Sequence, residues 1–386
     1  MSTTLNELYE NNNIFKLNLC AGHKGISNTV TWVYYSEDTT TTNFIKGNEL
    51  VLTTCLANSN SSDLLNYINN LIKNNASGLI INTGKYIKEI PKSVIDLCNK
   101  KNFPLFTMPW EIHLVDIMQS FSNEIILNNQ KEKNVSNAFK WLIFNDNNIN
   151  SDAKEILLQN NYNLEGNYLL IKVSSKIENK DCNISYKNIS NSINSKFINS
   201  NIKYSYIFKD NSLLLLFNNI MINDLSSICD ILNSKSQGEL YIGISSIKKS
   251  IDSIKTLYKE ALYSFTICNL KKKDIIHYDD IGIYKLILDV NDKYILKEMY
   301  YKTLGKLETY DKLHNTNYLD TLKLYLFNSC SVQKVASITY THRNTINYRI
   351  KKIKSLTKCN FENTDTRLLY EMSYYIKEIL NIKRDF

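Results

Sequence analysis

The sequence predicts a multidomain α/β plus all-α protein, with an N-terminal α/β domain, a central α/β domain and a helical C-terminal domain that contains a helix-turn-helix. Three observations support this prediction. Strand-like and helix-like patterns alternate over residues 1–130 and, after a helical connector, again within residues 131–282. From residue 283 to residue 386 the pattern is helical. Residues 319–358 contain eight Lys or Arg and one acid, so they carry +7 of the net charge of +8.

Residues 1–130 contain strand patterns separated by helical ones. The strand patterns are Thr29–Tyr35, Glu49–Thr54, Gly78–Asn82 and Pro104–Met108. The helical patterns are Ser62–Asn74 and Pro91–Lys101, and the second has its proline at the tolerated first turn. Alternation of this kind predicts a mostly parallel sheet covered by helices.

A candidate effector pocket lies at the carboxyl ends of these strands, where ligands of open α/β sheets collect. That position favours the pairs Ser36-Glu37 and Thr53-Thr54. We predict a small-molecule pocket with Trp32 or Trp110 as its apolar wall, and its candidate residues are Trp32, Glu37, Glu49, Thr53 and Thr54. The alternative is that Glu49 and the threonines only cap helices and satisfy backbone ends.

The connector and the central block follow. Residues Ile112–Asn147 show two apolar helical stripes, which we expect to connect two domains and to pair between subunits, although an intramolecular core explains them equally. The central strand patterns are Tyr168–Val173, Tyr204–Phe208, Ser212–Phe217 and Leu240–Ile244, followed by a helix over Ile251–Cys268. The short polar turn Lys209-Asp210-Asn211 predicts that the second and third strands form an antiparallel hairpin.

The basic segment 319–358 divides into three helices. A first apolar run ends at Asn328-Ser329, and Ser331 is placed to cap a short second helix. Thr341 is the predicted cap of a third helix, whose apolar positions are Ile346, Ile350, Ile353 and Leu356. A short helix, a tight turn and a longer helix with polar residues at its start make a helix-turn-helix.

The predicted third helix carries two sets of DNA-contacting residues. Arg and Asn suit base recognition because their planar groups form paired hydrogen bonds with guanine and adenine. The predicted base-reading residues are Arg343, Asn344, Thr345, Asn347 and Tyr348. The predicted phosphate-contacting residues are Arg349, Lys351, Lys352 and Lys354. The alternative is an amphipathic hairpin with a solvated basic face.

Several classes of site lack their sequence signature. The eight cysteines form no C-x-x-C pair, and His23 and His113 show no metal-ligand spacing, so we predict reduced thiols and no metal site. A P-loop, a GxGxxG motif and a nucleophile elbow are also missing, which predicts no cofactor and no enzymatic activity. Without an apolar run of 18 residues or a signal-peptide pattern, we expect a cytoplasmic protein with no membrane partner.

The sequence resembles the PucR-type (purine catabolism regulator-like) transcription regulators at three places. The C-terminal likeness comprises Tyr310-Asp311, Thr321-Leu322, Tyr325-Leu326, Ala336, His342–Thr345 and Tyr348-Arg349. The N-terminal run from Gly47 to Thr54 is similar to the PucR domain, with Cys55 where that family usually has glycine. The runs Tyr241–Ser245 and Ser253–Leu262 resemble the degenerate GGDEF-like domain of the same family. The resemblance implies a cytoplasmic bacterial regulator, usually a dimer or larger, that controls catabolic or transport genes.

The GGDEF-like block is not expected to be a cyclase. Such a cyclase holds Mg²⁺ with paired acids at a glycine-rich hairpin, whereas Phe208–Ser212 has one acid and no glycine. We predict a structural, oligomerising or sensory role for it, with a nucleotide-binding remnant as the alternative.

The sequence as a whole favours a metabolite-responsive, sequence-specific DNA-binding regulator. We expect a homodimer or higher oligomer that binds double-stranded DNA and a small-molecule effector and recruits RNA polymerase. A small-metabolite enzyme with a basic assembly tail is the first alternative. A general RNA- or nucleoid-binding protein is the second, and the lack of RNA-stacking aromatic motifs disfavours it.

Overall fold

The computed structural model describes residues 3–57, 60–145, 151–177, 183–197, 200–236 and 238–381. The chain forms two compact units. Unit 1 comprises Met1–Leu169, Asp181–Gln237 and Ile247–Lys255, and unit 2 comprises Leu170–Lys180, Gly238–Ser246 and Thr256–Phe386. Within the described ranges, no helix is both long and apolar enough to span a bilayer.

Unit 1 begins with a five-stranded sheet. Its strands are β1 (Asn18–Ala21), β2 (Trp32–Tyr35), β3 (Glu49–Thr53), β4 (Gly78–Thr83) and β5 (Leu105–Pro109). The spatial order is β1-β5-β4-β3-β2, with β2 to β5 parallel and β1 antiparallel to β5. The predicted strands and the mostly parallel sheet are confirmed. The edge strand β1 was not predicted, because its four residues are too few to show an alternating pattern.

Helices cover both faces of this sheet, as a parallel sheet requires. They are α1 (Leu5–Asn11), α2 (Ser61–Lys73), α3 (Lys92–Lys101) and α4 (Leu114–Phe144). Successive residues of β3 point to opposite faces, so Val51 packs with α2 and α3 while Leu50 and Leu52 pack with α1 and α4. The helices predicted over Ser62–Asn74 and Pro91–Lys101 are therefore confirmed as α2 and α3.

The connector is a single helix of 31 residues, α4. The first stripe, which includes Ile117 and Phe121, is buried against the sheet. In the second stripe, the Phe139 ring packs edge-on against Tyr162, with ring centroids 5.3 Å apart. Both stripes are thus core of unit 1. This favours the intramolecular alternative, and pairing of these helices between subunits stays a prediction.

The central block continues in chain order. Its elements are α5 (Ser151–Gln159), β6 (Asn167–Ser175), α6 (Asn183–Phe197), β7 (Lys203–Lys209), β8 (Ser212–Asn218), α7 (Ile222–Ser236), β9 (Leu240–Ile244) and β10 (Lys248–Lys249). In unit 1, β7 and β8 form the predicted antiparallel hairpin, and its turn residues Asp210 and Asn211 both have positive φ, as a tight two-residue turn requires. In unit 2, β9 lies antiparallel to residues 171–175 of β6.

Unit 2 is mainly helical. Its remaining elements are α8 (Ile254–Lys271), β11 (Ile275–His277), α9 (Tyr284–Asp289), α10 (Lys293–Tyr300), α11 (Lys306–His314), α12 (Tyr318–Phe327), α13 (Val332–Ile338), α14 (Arg343–Thr357) and α15 (Thr364–Leu380). A π-helical turn, Tyr301–Gly305, joins α10 directly to α11. Leu304, Leu322, Val335 and Ile346 belong to one buried cluster with residues of α8. The helix-turn-helix is therefore built into the core of unit 2.

Candidate nucleic-acid interface

The three helices predicted within residues 319–358 are confirmed as α12, α13 and α14. The Ser331 hydroxyl caps α13 by accepting a hydrogen bond from the Lys334 N–H at 3.3 Å. The predicted cap of α14 is wrong. The Thr341 hydroxyl donates backwards to the Thr339 carbonyl at 3.1 Å, and His342 Nδ1 accepts from the Asn344 N–H at 3.2 Å. Threonine belongs to the preferred cap residues and histidine does not, so local sequence rules favoured the wrong residue.

The two faces of α14 differ sharply in exposure. Ile346, Ile350 and Ile353 are buried against the rest of unit 2. Among the five predicted base-reading residues, four are exposed and Asn347 is half-buried. The exposed fraction of Tyr348 reaches 66%. The first turns of α14 thus present planar polar groups and an aromatic ring to solvent from a fixed helix.

The four predicted phosphate-contacting residues differ in their surroundings. Lys351 is exposed, whereas the other three are half-buried and have partners within unit 2. Arg349 Nη1 lies 3.5 Å from the Thr321 hydroxyl, and Lys354 pairs with Glu362 at 3.4 Å. Lys352 Nζ lies 5.8 Å from the centroid of a tyrosine ring on α11. These contacts hold three of the four cations in place along the helix.

The structure separates the five predicted effector-pocket residues. In the parallel pair β2 and β3, Trp32 is the register partner of Glu49, so both lie at the amino ends of their strands. The Glu49 carboxylate accepts from the N–H groups of Lys46 at 2.9 Å and Gly47 at 2.7 Å. Glu37, Thr53 and Thr54 lie at the opposite, carboxyl ends. The prediction of one pocket lined by all five is wrong, because strand register places the two groups at opposite edges of the sheet.

Glu37 links the carboxyl ends of β2 and β3 through hydrogen bonds. Its carboxylate accepts hydrogen bonds from the Tyr35 hydroxyl at 2.6 Å, from the Thr54 N–H at 2.8 Å and from the Leu56 N–H at 2.9 Å. The hydroxyls of Thr53 and Thr54 add two more, at 3.2 and 2.7 Å. Burial raises the pKa of this carboxyl, but the hydrogen bonds outweigh it and the pKa is lowered. Glu37 is therefore an ionised carboxylate that stabilises the turn after β3.

Cys55 occupies the position of that turn where PucR domains usually have glycine. The turn forms nevertheless, with Cys55 at a φ of 59° and its N–H donating to the Thr53 hydroxyl at 3.0 Å. Burial raises the pKa of the thiol to about 12, so it stays protonated and unreactive at neutral pH. The seven described cysteines are free thiols; Cys182 lies outside the described residues.

An aromatic cluster with one cation lies at the same carboxyl edge. The rings of Tyr86 and Trp110 meet edge to face at 5.7 Å, and Lys85 Nζ lies 5.4 Å and 5.9 Å from their centroids. Gly84 allows this approach, because its φ is 139° and a Cβ there would lie 2.8 Å from the Trp110 Cβ. Of the two tryptophans predicted as a pocket wall, Trp110 is the one at the carboxyl edge.

Both ends of the chain match known protein families. Residues 7–125 match the Purine catabolism regulatory protein-like family. Residues 318–376 match the PucR C-terminal helix-turn-helix domain. Both ends of the chain are thus similar to PucR domains. The resemblance is confirmed at both ends, while the likeness of the central block to a GGDEF-like domain stays a prediction.

Three curated relatives, all from Bacillus subtilis (strain 168), are similar to parts of the chain. The proline-responsive transcriptional activator PutR is 30% identical over 131 residues, which cover 33% of this chain and 32% of PutR. The DNA-binding transcriptional activator AdeR is 27% identical over 135 residues, covering 33% and 31%. The purine catabolism regulatory protein is 31% identical over 110 residues, covering 28% and 21%. The matches therefore span about a third or less of the length of these relatives.

Asp311 precedes the matched range and holds the start of α12 in place. Its carboxylate accepts from the N–H groups of Tyr318 at 2.9 Å and Leu319 at 2.8 Å, and from the Thr316 hydroxyl at 2.5 Å. These N–H groups begin α12 and have no partner within that helix. The preceding residue, Tyr310, stacks on the Tyr318 ring with centroids 5.6 Å apart. The pair Tyr310-Asp311 thus fixes the start of α12 from the neighbouring α11.

A second anchor of these C-terminal helices is Glu378 on α15. Its carboxylate pairs with Lys323 of α12 at 2.9 Å and with Lys271 of α8 at 3.1 Å, and it accepts the hydroxyl of Tyr284 of α9. Burial raises the pKa of this carboxyl, but the hydrogen bonds from Tyr284, Lys323 and Lys271 lower it to about 2. Sequence analysis missed Glu378, because its partners lie 55 to 107 residues away.

Proposed function

We propose that the protein is a sequence-specific DNA-binding transcription regulator that acts as a homodimer or higher oligomer. The observation that carries the proposal is the exposed, polar start of α14 on a helix whose other face is buried. The match of residues 318–376 to the PucR helix-turn-helix domain supports it, and so does the charge concentrated in residues 319–358. The matched families and relatives are described as regulators, which favours regulation over the enzyme alternative.

In this proposal α14 enters the major groove and the two sets of residues have different tasks. Arg343, Asn344, Thr345, Asn347 and Tyr348 read base edges, since they lie on the first two turns of the helix. Arg349, Lys351, Lys352 and Lys354 hold phosphates and fix the register. In a two-fold dimer the recognition helices lie about 34 Å apart, so the operator contains two half-sites separated by one helical turn of DNA.

We further propose that the N-terminal domain binds a small nitrogenous metabolite at the carboxyl edge around Glu37, Thr53, Thr54 and Trp110. Two exposed aromatic side chains there, Tyr35 and Trp110, offer apolar contact surface, and Lys85 offers a positive charge for a carboxylate. The relative PutR is described as proline-responsive, which supports an effector of amino-acid size. Binding then changes the recruitment of RNA polymerase at catabolic or transport genes in the cytoplasm, with activation as the expected sign.

The test of DNA binding uses the full chain and DNA fragments from beside its own gene. The fragments are titrated with protein at several salt concentrations and with unlabelled competitor, and the bound region is footprinted. We expect two protected half-sites that survive competitor DNA. Binding that is weak, lost with moderate salt and indifferent to sequence contradicts the proposal and favours the solvated basic face.

The test of effector binding uses tryptophan fluorescence, because the indole of Trp110 is partly exposed at the proposed site. The chain is titrated with a panel of amino acids that includes proline, together with a purine such as urate. A saturable change that disappears in Trp110→Phe and persists in Trp32→Phe supports the carboxyl edge. A fluorescence change of equal size on ligand addition in both variants refutes that location.

A further inference from the structure

Tyr340 stands out in the turn between α13 and α14. Its φ is 51°, in the left-handed region that glycine and asparagine adopt readily and bulky residues avoid. Its side chain is 98% exposed, the largest exposed fraction among the large hydrophobic side chains of the described chain. The ring therefore gains almost no packing within the subunit in return for the unfavourable backbone conformation.

The position of Tyr340 suggests what compensates this strain. It lies two residues before His342, the cap of α14, and three residues before the predicted base-reading Arg343. When a recognition helix enters the major groove by its N-terminus, the preceding turn lies beside the phosphates that border the groove. A phenol hydroxyl at the end of an extended ring donates well to a phosphate oxygen.

We infer that Tyr340 is a DNA contact, whose hydroxyl donates a hydrogen bond to a backbone phosphate beside the groove that α14 enters. The inference rests on the proposed DNA-binding function and adds a residue outside the two sets predicted on α14. Because the phenol is neutral, its contact positions the helix without releasing counterions. Tyr340 thus differs from the lysines of α14 in how its contribution responds to salt.

The first test separates stability from binding with Tyr340→Gly. Glycine removes the strain, so we expect the melting temperature of the full chain to rise by about 2 °C. We expect its affinity for the footprinted fragment to fall about tenfold, since the phosphate contact is lost. A purely structural residue moves both quantities in the same direction. Unchanged or increased affinity in Tyr340→Gly overturns the inference.

The second test isolates the hydroxyl with Tyr340→Phe. We expect affinity to fall about fivefold, with the slope of log affinity against log salt unchanged, whereas Lys351→Ala reduces that slope by about one. The matched control is Tyr294→Phe on α10, because Tyr294 is also an exposed tyrosine of unit 2, with 69% of its surface accessible. Equal losses in the two phenylalanine variants contradict the inference. If the unaltered chain binds no DNA, the proposed function itself falls.

Discussion

Replacing Glu378 with glutamine should weaken the C-terminal domain more than the loss of an ordinary surface ion pair. The pKa of Glu378 falls from 4.5 to about 2, and each pKa unit corresponds to about 1.4 kcal/mol of preference for the charged form. The undiscounted value is about 3 kcal/mol. A quarter of the side chain is exposed, at 25%, and solvent screening reduces the expected loss in the free energy of unfolding to about 2 kcal/mol.

The measurement is urea unfolding of the full chain at neutral pH, followed by circular dichroism. Glu362→Gln is the matched control, because Glu362 also forms an ion pair with a lysine but is 78% exposed. For that variant we expect a change within about 0.5 kcal/mol. Losses of equal size in the two variants would refute the reasoning that burial and several donors make Glu378 special.

The pH dependence gives a second check on the same residue. A carboxyl whose pKa is lower in the folded than in the unfolded chain stabilises the fold above its unfolded value, and this contribution disappears as pH falls through the folded value. The stability difference between the unaltered chain and Glu378→Gln should be constant above about pH 6 and shrink between about pH 5 and pH 2. A difference that persists in acid contradicts an electrostatic origin.

Three further predictions test other parts of the molecule. Asn344→Ala should lose about 1–3 kcal/mol of binding free energy at one defined base. Lys352→Ala should weaken binding to all sequences alike and reduce the slope of log affinity against log salt by about one. Uniform effects from both variants would contradict the base-reading assignment. Asp311→Ala removes three hydrogen bonds at the start of α12 and should cost about 2 kcal/mol in unfolding free energy. Cys55→Val places a β-branched side chain at positive φ and should lower the free energy of unfolding by more than about 2 kcal/mol. Cys55→Gly should change it by less than about 1 kcal/mol, because relief of strain offsets the lost buried thiol.

Local periodicity predicted most of the elements correctly. The alternation of Leu50, Val51 and Leu52 fits a strand buried on both faces, and the spacing of Ile346, Ile350 and Ile353 fits one buried face of α14. These patterns depend only on residues within one element. They are therefore visible in the sequence without knowledge of the partner elements.

The failed predictions concern the pairing of strands and the choice of hydrogen-bond partners within a turn. Trp32 and Glu49 were grouped with Glu37, but the parallel register of β2 and β3 places them at the other end of the sheet. His342 caps α14 in place of the predicted Thr341, and the Thr341 hydroxyl donates to the Thr339 carbonyl instead. Strand pairing depends on tertiary structure, and the cap depends on the backbone geometry of the turn; a single sequence displays neither.

The π-helical turn Tyr301–Gly305 makes the length of its segment matter more than its composition. Thr303 in this turn donates to the Met299 carbonyl and lies 2.8 Å from the buried Ser373 hydroxyl of α15. A π-helical turn holds about one residue more than an α-helical turn, so inserting a further residue at the start of α11 would rotate the residues that follow by about 100° relative to α10. Asp311 would then point away from the N-terminus of α12, and the recognition helix would lose its orientation. Single-residue insertions at the start of α11 should abolish DNA recognition even where substitutions of its exposed side chains are tolerated.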